Sequence, residues 1–333
     1  MSIAGPLVDF FGRVHTHLRI SVTDRCNARC YYCMPAEGVQ FRSHEEILTY
    51  EEIERFVKVA ARLGINKLRL TGGEPLVRKD VPKLVEKLVA VPGIIEVALT
   101  TNGILLARYA AELKAAGLNR LNVSLDTLDP QKFQQIARCD ALPQVLEGID
   151  AAQRAGFEEI KLNALAIRGM CDDEVVPLAL FARQRGLQLR FIEFMPVNGR
   201  RDWRDDRVFS GEEILEVLSR EVGPLEPVET NGSSAPATEY RFRDGGGRIG
   251  LIRSVTEPFC GQCNRLRLTA DGMLQNCLFS TRQWDARAVL RSGGTQRQLA
   301  QLVQIAVSTK NRVRGTDDGN FARADRTMHQ IGG

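Results

Sequence analysis

Several things are missing from this 333-residue sequence, and each absence narrows what it can be. No apolar run approaches the roughly 20 residues that span a bilayer, so no membrane role is expected. The opening MSIAGPLVDFFGRVHT lacks a continuous apolar stretch behind a basic start, so no secretory signal is expected. A cytoplasmic setting follows as the expectation. The formal charge of +4 is weak. It argues against a general nucleic-acid binder and leaves room for a local basic pocket for a small anion. No repeat of solenoid type is visible. Histidine is scarce, with only His15, His17, His44 and His329. None is spaced to complete a four-ligand zinc site with nearby cysteines.

Cysteine is the residue that is present in a pattern. Six of the eight fall into two groups of three. Cys26, Cys30 and Cys33 lie in DRCNARCYYC, and Cys260, Cys263 and Cys277 span CGQCNRLRLTADGMLQNC. Three thiolates are one short of closing a four-iron cluster, so one iron stays free for a ligand that is not protein. Two such triads suggest two open clusters and therefore chemistry. Zinc and disulfides are the alternatives. A long chain with tight Cys spacing more often binds metal or catalyses than forms disulfides. Cys139 and Cys171 have no cysteine within ligand spacing and read as packing thiols.

The first two thirds of the chain alternates strand and helix patterns. Strands are expected at 18–23, 67–72, 96–101, 120–126, 160–167 and 187–196. Amphipathic helices are expected at 49–64, 105–117, 143–156 and 173–186, each ending on glycine. Thr49 and Glu52 read as a capping box. This alternation implies an α/β fold with a parallel sheet and right-handed crossovers. Six units are too few for an eightfold barrel, so a partial (β/α)6 barrel is expected, its gap covered by other parts of the chain. The charged stretch at 200–207 reads as solvated surface and 211–220 as one more helix. Residues 224–238 read as a linker rich in Pro, Gly, Ser and Thr. Two antiparallel strands, a hairpin turning at Asp271-Gly272 and a helix at 295–312 should follow. The division is therefore a barrel at 1–220 and a C-terminal α+β extension at 221–333.

The first triad follows the first strand, and active sites of parallel barrels lie at the strands' C-terminal ends. Other strands also end in polar residues: Arg69 with Thr71–Pro75, Thr100–Gly103, Asn122 with Ser124 and Asp126, Lys161 with Asn163, and Arg190 with Glu193 and Met195. Period-two alternation puts Arg69 with Thr71, Asn122 with Ser124, and Lys161 with Asn163. Together they suggest a polar cavity. The Gly72-Gly73 pair would let backbone approach a ligand closely. Arg19, Arg69, Lys161, Arg265 and Arg267 could face a polyphosphate if they converge. Arg265 and Arg267, two apart in a strand, should point the same way.

At this point the motifs resemble a known family. Cys26-x3-Cys30-x2-Cys33, with Tyr32 before the last cysteine, resembles the signature of radical S-adenosylmethionine enzymes, and Gly72–Pro75 resembles their second motif. Nearly the whole chain is similar to the GTP 3′,8-cyclases of molybdenum cofactor biosynthesis, through LRISVTDRCNARCYYCMP, LRLTGGEPL, FIEFMP, FCGQCNRLRLTADG and the closing IGG. The resemblance implies a lyase that converts GTP to (8S)-3′,8-cyclo-7,8-dihydroguanosine 5′-triphosphate. It implies a 4Fe–4S cluster on Cys26, Cys30 and Cys33 that chelates S-adenosylmethionine, contacted by Tyr32, Gly73, Ser124 and Met195. It implies a second 4Fe–4S cluster on Cys260, Cys263 and Cys277, whose open iron meets the guanine. GTP would be bound by Arg19, Arg69, Thr100, Lys161, Arg265 and Arg267, the last two closest to the chemistry. Gly332-Gly333 would reach into the site. The implied partners are an external electron donor and a downstream enzyme that uses the cyclised nucleotide, with a homodimer left open. The stretch 316–325 before the tail matches no family pattern.

Overall fold

The computed structural model describes residues 5–197, 203–228, 235–313 and 326–332. Six strands form its centre: β1 (His17–Ser21), β2 (Lys67–Thr71), β3 (Glu96–Thr101), β4 (Arg120–Ser124), β5 (Ile160–Ala166) and β6 (Gln188–Glu193). Each pairs in parallel with the next. Alternation decides which face each residue takes. Leu18, Ile20, Leu68, Leu70, Val97, Leu99, Leu121, Val123, Leu162 and Leu189 are buried in the main apolar core. Each such side chain contributes about 1.5–3 kcal/mol of burial. The intervening residues, Arg19, Arg69, Thr100, Asn122, Lys161 and Arg190, line the opposite, inner face.

The helices that pack outside are α1 (Tyr50–Arg62), α2 (Val81–Val89), α3 (Leu106–Ala115), α4 (Pro130–Ala137), α5 (Leu142–Arg154) and α6 (Val175–Gln184). Thr49 caps α1 in a complete capping box with Glu52, as the sequence predicts. Helices α2 and α4 were not expected from the sequence. Both are short and begin with Pro near the first helical position, where its missing N–H costs nothing. Helix α7 (Gly211–Glu221) follows.

The C-terminal part does not sit apart from this sheet. Strands β7 (Leu225–Pro227), β8 (Thr238–Phe242) and β9 (Arg248–Ile252) extend one edge, with β9 parallel to β6. Strands β10 (Arg265–Leu268), β11 (Met273–Gln275) and β12 (Trp284–Asp285) extend the other, with β10 parallel to β1. The described sheet thus has twelve strands in the order β12-β11-β10-β1-β2-β3-β4-β5-β6-β9-β8-β7. Its middle eight are parallel, and its ends are the gap-covering pieces that the sequence left unspecified. Part of the expected linker is strand β7. Its Pro227 is tolerated because β7 is the sheet's edge. The remainder of that linker at 229–234, part of the charged stretch at 200–207, and 316–325 lie outside the described residues. The β10–β11 hairpin turns at Asp271-Gly272 as expected, with Gly272 at φ +80°. Helices α8 (Ala286–Arg291), α9 (Gln296–Ser308) and α10 (Met328–Ile331) complete the chain. Among the described residues, no helix is long and apolar enough to cross a membrane.

Candidate functional site

All eight cysteines are free thiols. Cys26, Cys30 and Cys33 leave the end of β1 on a loop that is held from several sides. Arg29 N and Tyr31 N donate to the carbonyls of Ala137 (2.9 Å) and Ile136 (2.8 Å) at the end of α4. Gly73 N and Glu74 N donate to the carbonyls of Thr23 (2.9 Å) and Arg25 (2.8 Å). The glycine pair therefore has a definite steric reason. A Cβ on Gly72 would strike the carbonyl oxygen of Thr23, and one on Gly73 that of Arg25. The close approach that requires glycine here is by the cysteine loop itself. Glu74, fully inside, accepts hydrogen bonds from Thr101 Oγ1 (2.7 Å), Asn102 N (2.7 Å) and Leu76 N (3.0 Å). Burial pushes its pKa up to about 7.

The three thiols line one cavity of about 200 Å³ with Tyr32, Gly73, Ser124 and Met195. The four residues expected at the cofactor are therefore brought together. Tyr32 also donates to Asp126 Oδ2 at 2.6 Å, and Asp126 Oδ1 accepts from Leu165 N at 2.8 Å. Burial pushes the Cys26 thiol up to about 11 and that of Cys33 to about 12. Cations that would hold them as thiolates have to come from a bound group, as iron does when a thiol coordinates it.

The second triad lines another cavity, of about 160 Å³, with Arg19, Arg265 and Arg267. Its charge environment is different. Arg265 Nη2 lies 3.6 Å and Lys310 Nζ 3.4 Å from Cys263 Sγ. Burial pushes the Cys263 thiol up, yet Arg265 and Lys310 pull it further the other way, down to about 5. Among the described residues no group of three or more His, Cys, Asp or Glu side chains is arranged to hold a single metal ion. A four-iron cluster takes each thiolate on a different iron, so its ligands stand around a cavity instead of meeting at a point. Both triads have that form.

A third cavity, of about 550 Å³, is lined by Arg19, Arg69, Thr100, Lys161 and Arg265. Register explains the convergence. Arg19 is flanked by Arg267 on β10 and by Arg69 on β2, and Thr100 by Asn122, which is flanked in turn by Lys161. None of Arg19, Arg69, Arg265 and Arg267 has a carboxylate ion-pair partner among the described residues. Burial, followed by Arg120 and Arg190, brings Arg69 down to about 9. Burial, followed by Arg190 and Arg120, brings Lys161 down to about 8. Arg19 is pulled well down by burial and then by Arg267, Arg265 and Arg69. Glu96 and Glu239 also line this cavity, but a cluster of arginines without carboxylate ion pairs of their own suits a bound polyanion. Asn122 Oδ1 and Asn163 Oδ1 are buried there without a partner.

The three cavities are continuous in their walls. Ile192 lines all of them. Thr100 and Asn163 belong to both the first cysteine cavity and the cationic one, and Arg19 and Arg265 to both the cationic and the second cysteine cavity. Met195 and Met328 face both triads. The tail that carries Met328 is tied down by Arg326, whose Nη1 and Nη2 reach Asp271 Oδ1 and Oδ2 at 2.8 and 3.0 Å. Its Gly332 carbonyl accepts from Arg267 Nη1. Gly333 lies outside the described residues.

Some residues moved role. Glu193, one of the polar strand ends, does not face the cavity. It is buried and accepts from the backbone N–H groups of Gly211, Val255 and Thr256 at 2.8–3.0 Å, so it joins β6 to α7 and to the loop after β9. Arg120 and Lys310 were not nominated from the sequence, whereas Arg190 was, as one of the polar strand ends. Arg120 stands two residues before Asn122 and four before Ser124, a signal that period-two reading contains. Arg190 pairs with Glu239 at 2.8 Å, and Gly250 beside it leaves room, since a Cβ there would come within 2.8 Å of Arg190 Cγ. Lys310 follows a helix and carries no sequence signal.

Residues 20–182 match the family model of the radical SAM superfamily, and residues 187–315 that described as Molybdenum Cofactor Synthesis C. A GTP 3′,8-cyclase of Rhodopirellula baltica is 50% identical over 330 residues, covering 98% of this chain and 92% of the relative. One from Pelotomaculum thermopropionicum is 46% identical, with 98% and 99% covered. Among solved structures, Streptococcus suis SuiB bound to S-adenosylmethionine aligns with a TM-score of 0.60 at 13% identity, over 87% of this chain and 68% of that one. Methylornithine synthase aligns at 0.51 and 19%, over 62% of each. At such identity these two establish the fold alone. The chain belongs to the radical S-adenosylmethionine superfamily and, within it, to the GTP 3′,8-cyclase family.

Proposed function

We propose that this chain is a lyase that converts GTP to (8S)-3′,8-cyclo-7,8-dihydroguanosine 5′-triphosphate in molybdenum cofactor biosynthesis, acting in the cytoplasm. The observation that carries the site assignment is the cationic cavity that shares walls with both cysteine-lined cavities. Cys26, Cys30 and Cys33 hold one 4Fe–4S cluster, with S-adenosylmethionine against Tyr32, Gly73, Ser124 and Met195. Cys260, Cys263 and Cys277 hold a second. When bound, the first cluster and S-adenosylmethionine supply one-electron reductive cleavage and with it a hydrogen-abstracting carbon radical.

The protein's own part is to bind, orient and enclose. Arg19, Arg69, Lys161, Arg265 and Arg267 bind GTP, and Thr100 adds a hydroxyl at the boundary with the first cavity. The new bond joins C3′ of the ribose to C8 of the guanine. The ribose must therefore face the first triad while the guanine faces the second, and the two cysteine cavities share Ile192, Met195 and Met328 in their walls. Arg265 and Arg267 stand at the guanine end. The parallel sheet, with Ile192 at the junction, keeps water and oxygen from the radical. An external donor supplies the electrons, and a downstream enzyme takes the product.

Anaerobic incubation with GTP, S-adenosylmethionine and a reductant should give 5′-deoxyadenosine and an isomer of GTP by mass. Cofactor cleavage with no such isomer would count against GTP as the substrate. Cys263→Ala should lose the isomer and keep cofactor cleavage. Loss of both would mean that the two triads do not divide the work.

A further inference from the structure

The sulfur of Cys263 receives a cation from a part of the chain far from either cysteine motif. Lys310 follows α9 and is buried. Its Nζ donates to the Arg265 carbonyl at 2.8 Å and lies 3.4 Å from Cys263 Sγ. Among the described residues no lysine or arginine nitrogen donates to a sulfur of the first triad: the donors at Cys26 Sγ are the neutral Ala28 N at 3.4 Å and Asn102 Nδ2 at 3.8 Å.

The segment that carries Lys310 is clamped. Arg13 Nη2 donates to the Asn311 carbonyl at 2.7 Å, and Arg13 Nη1 to those of Arg312 at 3.1 Å and Cys260 at 2.8 Å. Arg13 is itself fixed by Asp9, with Nε 2.6 Å from Oδ2, and Asp9 also meets His15 at 3.0 Å. One arginine from the N-terminal turn thus ties the CGQC loop to the Lys310 segment. The ammonium is held at its sulfur instead of being free to swing into solvent.

We propose that Lys310 is a positioning residue that acts through Cys263 to raise the reduction potential of the cluster at the second triad, an inference that rests on the two-cluster reading above. Reduction adds one electron to a cluster whose ligands are already anionic. A fixed positive charge near a ligand sulfur, screened little by water, favours the more negative, reduced form. Hydrogen bonds to ligand sulfurs act in the same direction, as outer-shell partners of metal ligands commonly do.

The test is an anaerobic redox titration followed by electron paramagnetic resonance, on wild type, Lys310→Met, Lys310→Gln and Lys310→Arg, each with its iron counted. Wild type should hold about eight irons per chain. The second cluster's midpoint should shift to a more negative value in the Met and Gln variants and return toward wild type in the Arg variant. The first cluster's midpoint should stay in place throughout. About eight irons with an unmoved second midpoint would overturn the proposal alone, as would an Arg variant shifted as far as the Met variant. Loss of four irons in both neutral variants would make Lys310 a structural support and overturn the tuning role. Four irons in the wild type would instead remove the second cluster, and the two-cluster reading with it.

Discussion

Arg19 on β1 and Arg267 on β10 stand side by side in parallel register, although 248 positions separate them in sequence. Both line the wall of the second cysteine cavity, Arg267 buried and Arg19 partly so. Two guanidinium groups on neighbouring strands repel each other, and burial with Arg265 nearby brings Arg267 down to about 10. Such an arrangement is unfavourable in the empty protein. It becomes favourable when a polyanion enters, because desolvated arginines bind phosphate oxygens in pairs.

Arg267→Ala should therefore damage substrate use far more than cluster assembly. One charge-assisted contact is worth about 1.5–3 kcal/mol, which corresponds to a loss of about 10- to 100-fold in kcat/KM. Iron content should match wild type. Steady-state kinetics beside an iron assay reads both, and an iron-depleted variant would point to a structural role instead.

The same residues mark where the sequence could be read and where it could not. Period-two alternation was enough to put Arg69 with Thr71 and Lys161 with Asn163, because side-chain direction in a strand is local. Which strands become neighbours is not local. That β10 adds to β1 and β9 to β6 follows from closing the sheet's edges with distant chain. The supposed linker hides strand β7 because an edge strand tolerates Pro227 and needs little apolar content. Gly72-Gly73 was legible as a close approach, but its partner, the backbone of Thr23 and Arg25, was not. Lys310 could not be found at all, since its role depends on where a helix end happens to pack.

The glycine contact gives a second prediction. In Gly73→Ala the new Cβ meets backbone of Asp24 and Arg25, with Asp24 O at 2.8 Å and Arg25 C at 2.7 Å. Backbone cannot rotate away as a side chain can, so the loop with Cys26, Cys30 and Cys33 must move. Overpacking of this kind costs about 1–3 kcal/mol. Reconstituted protein should lose the first cluster and S-adenosylmethionine cleavage, falling from about eight irons to about four. Full iron content and normal 5′-deoxyadenosine release would contradict this steric account.

Lys161 makes substrate binding sensitive to alkaline pH. Lys161, brought down to about 8 by burial and then by Arg190 and Arg120, titrates below Arg69, which burial and then Arg120 and Arg190 bring to about 9. GTP affinity should weaken as pH rises through about 8, and binding there should take up a proton. Lys161→Arg should flatten the profile. The GTP-free protein should respond in the opposite sense. Between the folded value and the ordinary 10.5, the unfolded chain binds a proton at Lys161 that the folded chain does not. The Lys161 contribution to stability therefore rises with pH across that window. Calorimetric titration of GTP from pH 7 to 9.5 measures the first effect (a range of about 2.5 units around the Lys161 value), and thermal melts measure the second. A flat wild-type profile would remove Lys161 from the anion site.

The pair Arg326–Asp271 controls the end of the tail. Asp271 sits in the β10–β11 turn, and its carboxylate takes both Arg326 nitrogens at 2.8 and 3.0 Å. From there the chain runs through Met328, between the triads, to Gly332, whose carbonyl accepts from Arg267. Arg326→Ala leaves a buried carboxylate without its main partner, a loss of about 3–5 kcal/mol where burial is complete. Arg42, 3.4 Å from Asp271 Oδ2, compensates in part. The expected outcome is a tail that detaches while the sheet stays folded, because Arg326 touches the turn and not the core. Hydrogen exchange should increase at 326–332, the KM for GTP should rise as Arg267 loses its carbonyl partner, and both midpoint potentials should stay put. The charge-swapped double variant Asp271→Arg with Arg326→Asp should recover part of the protection if the ion pair is the anchor. Protection unchanged in Arg326→Ala would mean that the buried His329 and Ile331 hold the tail without it.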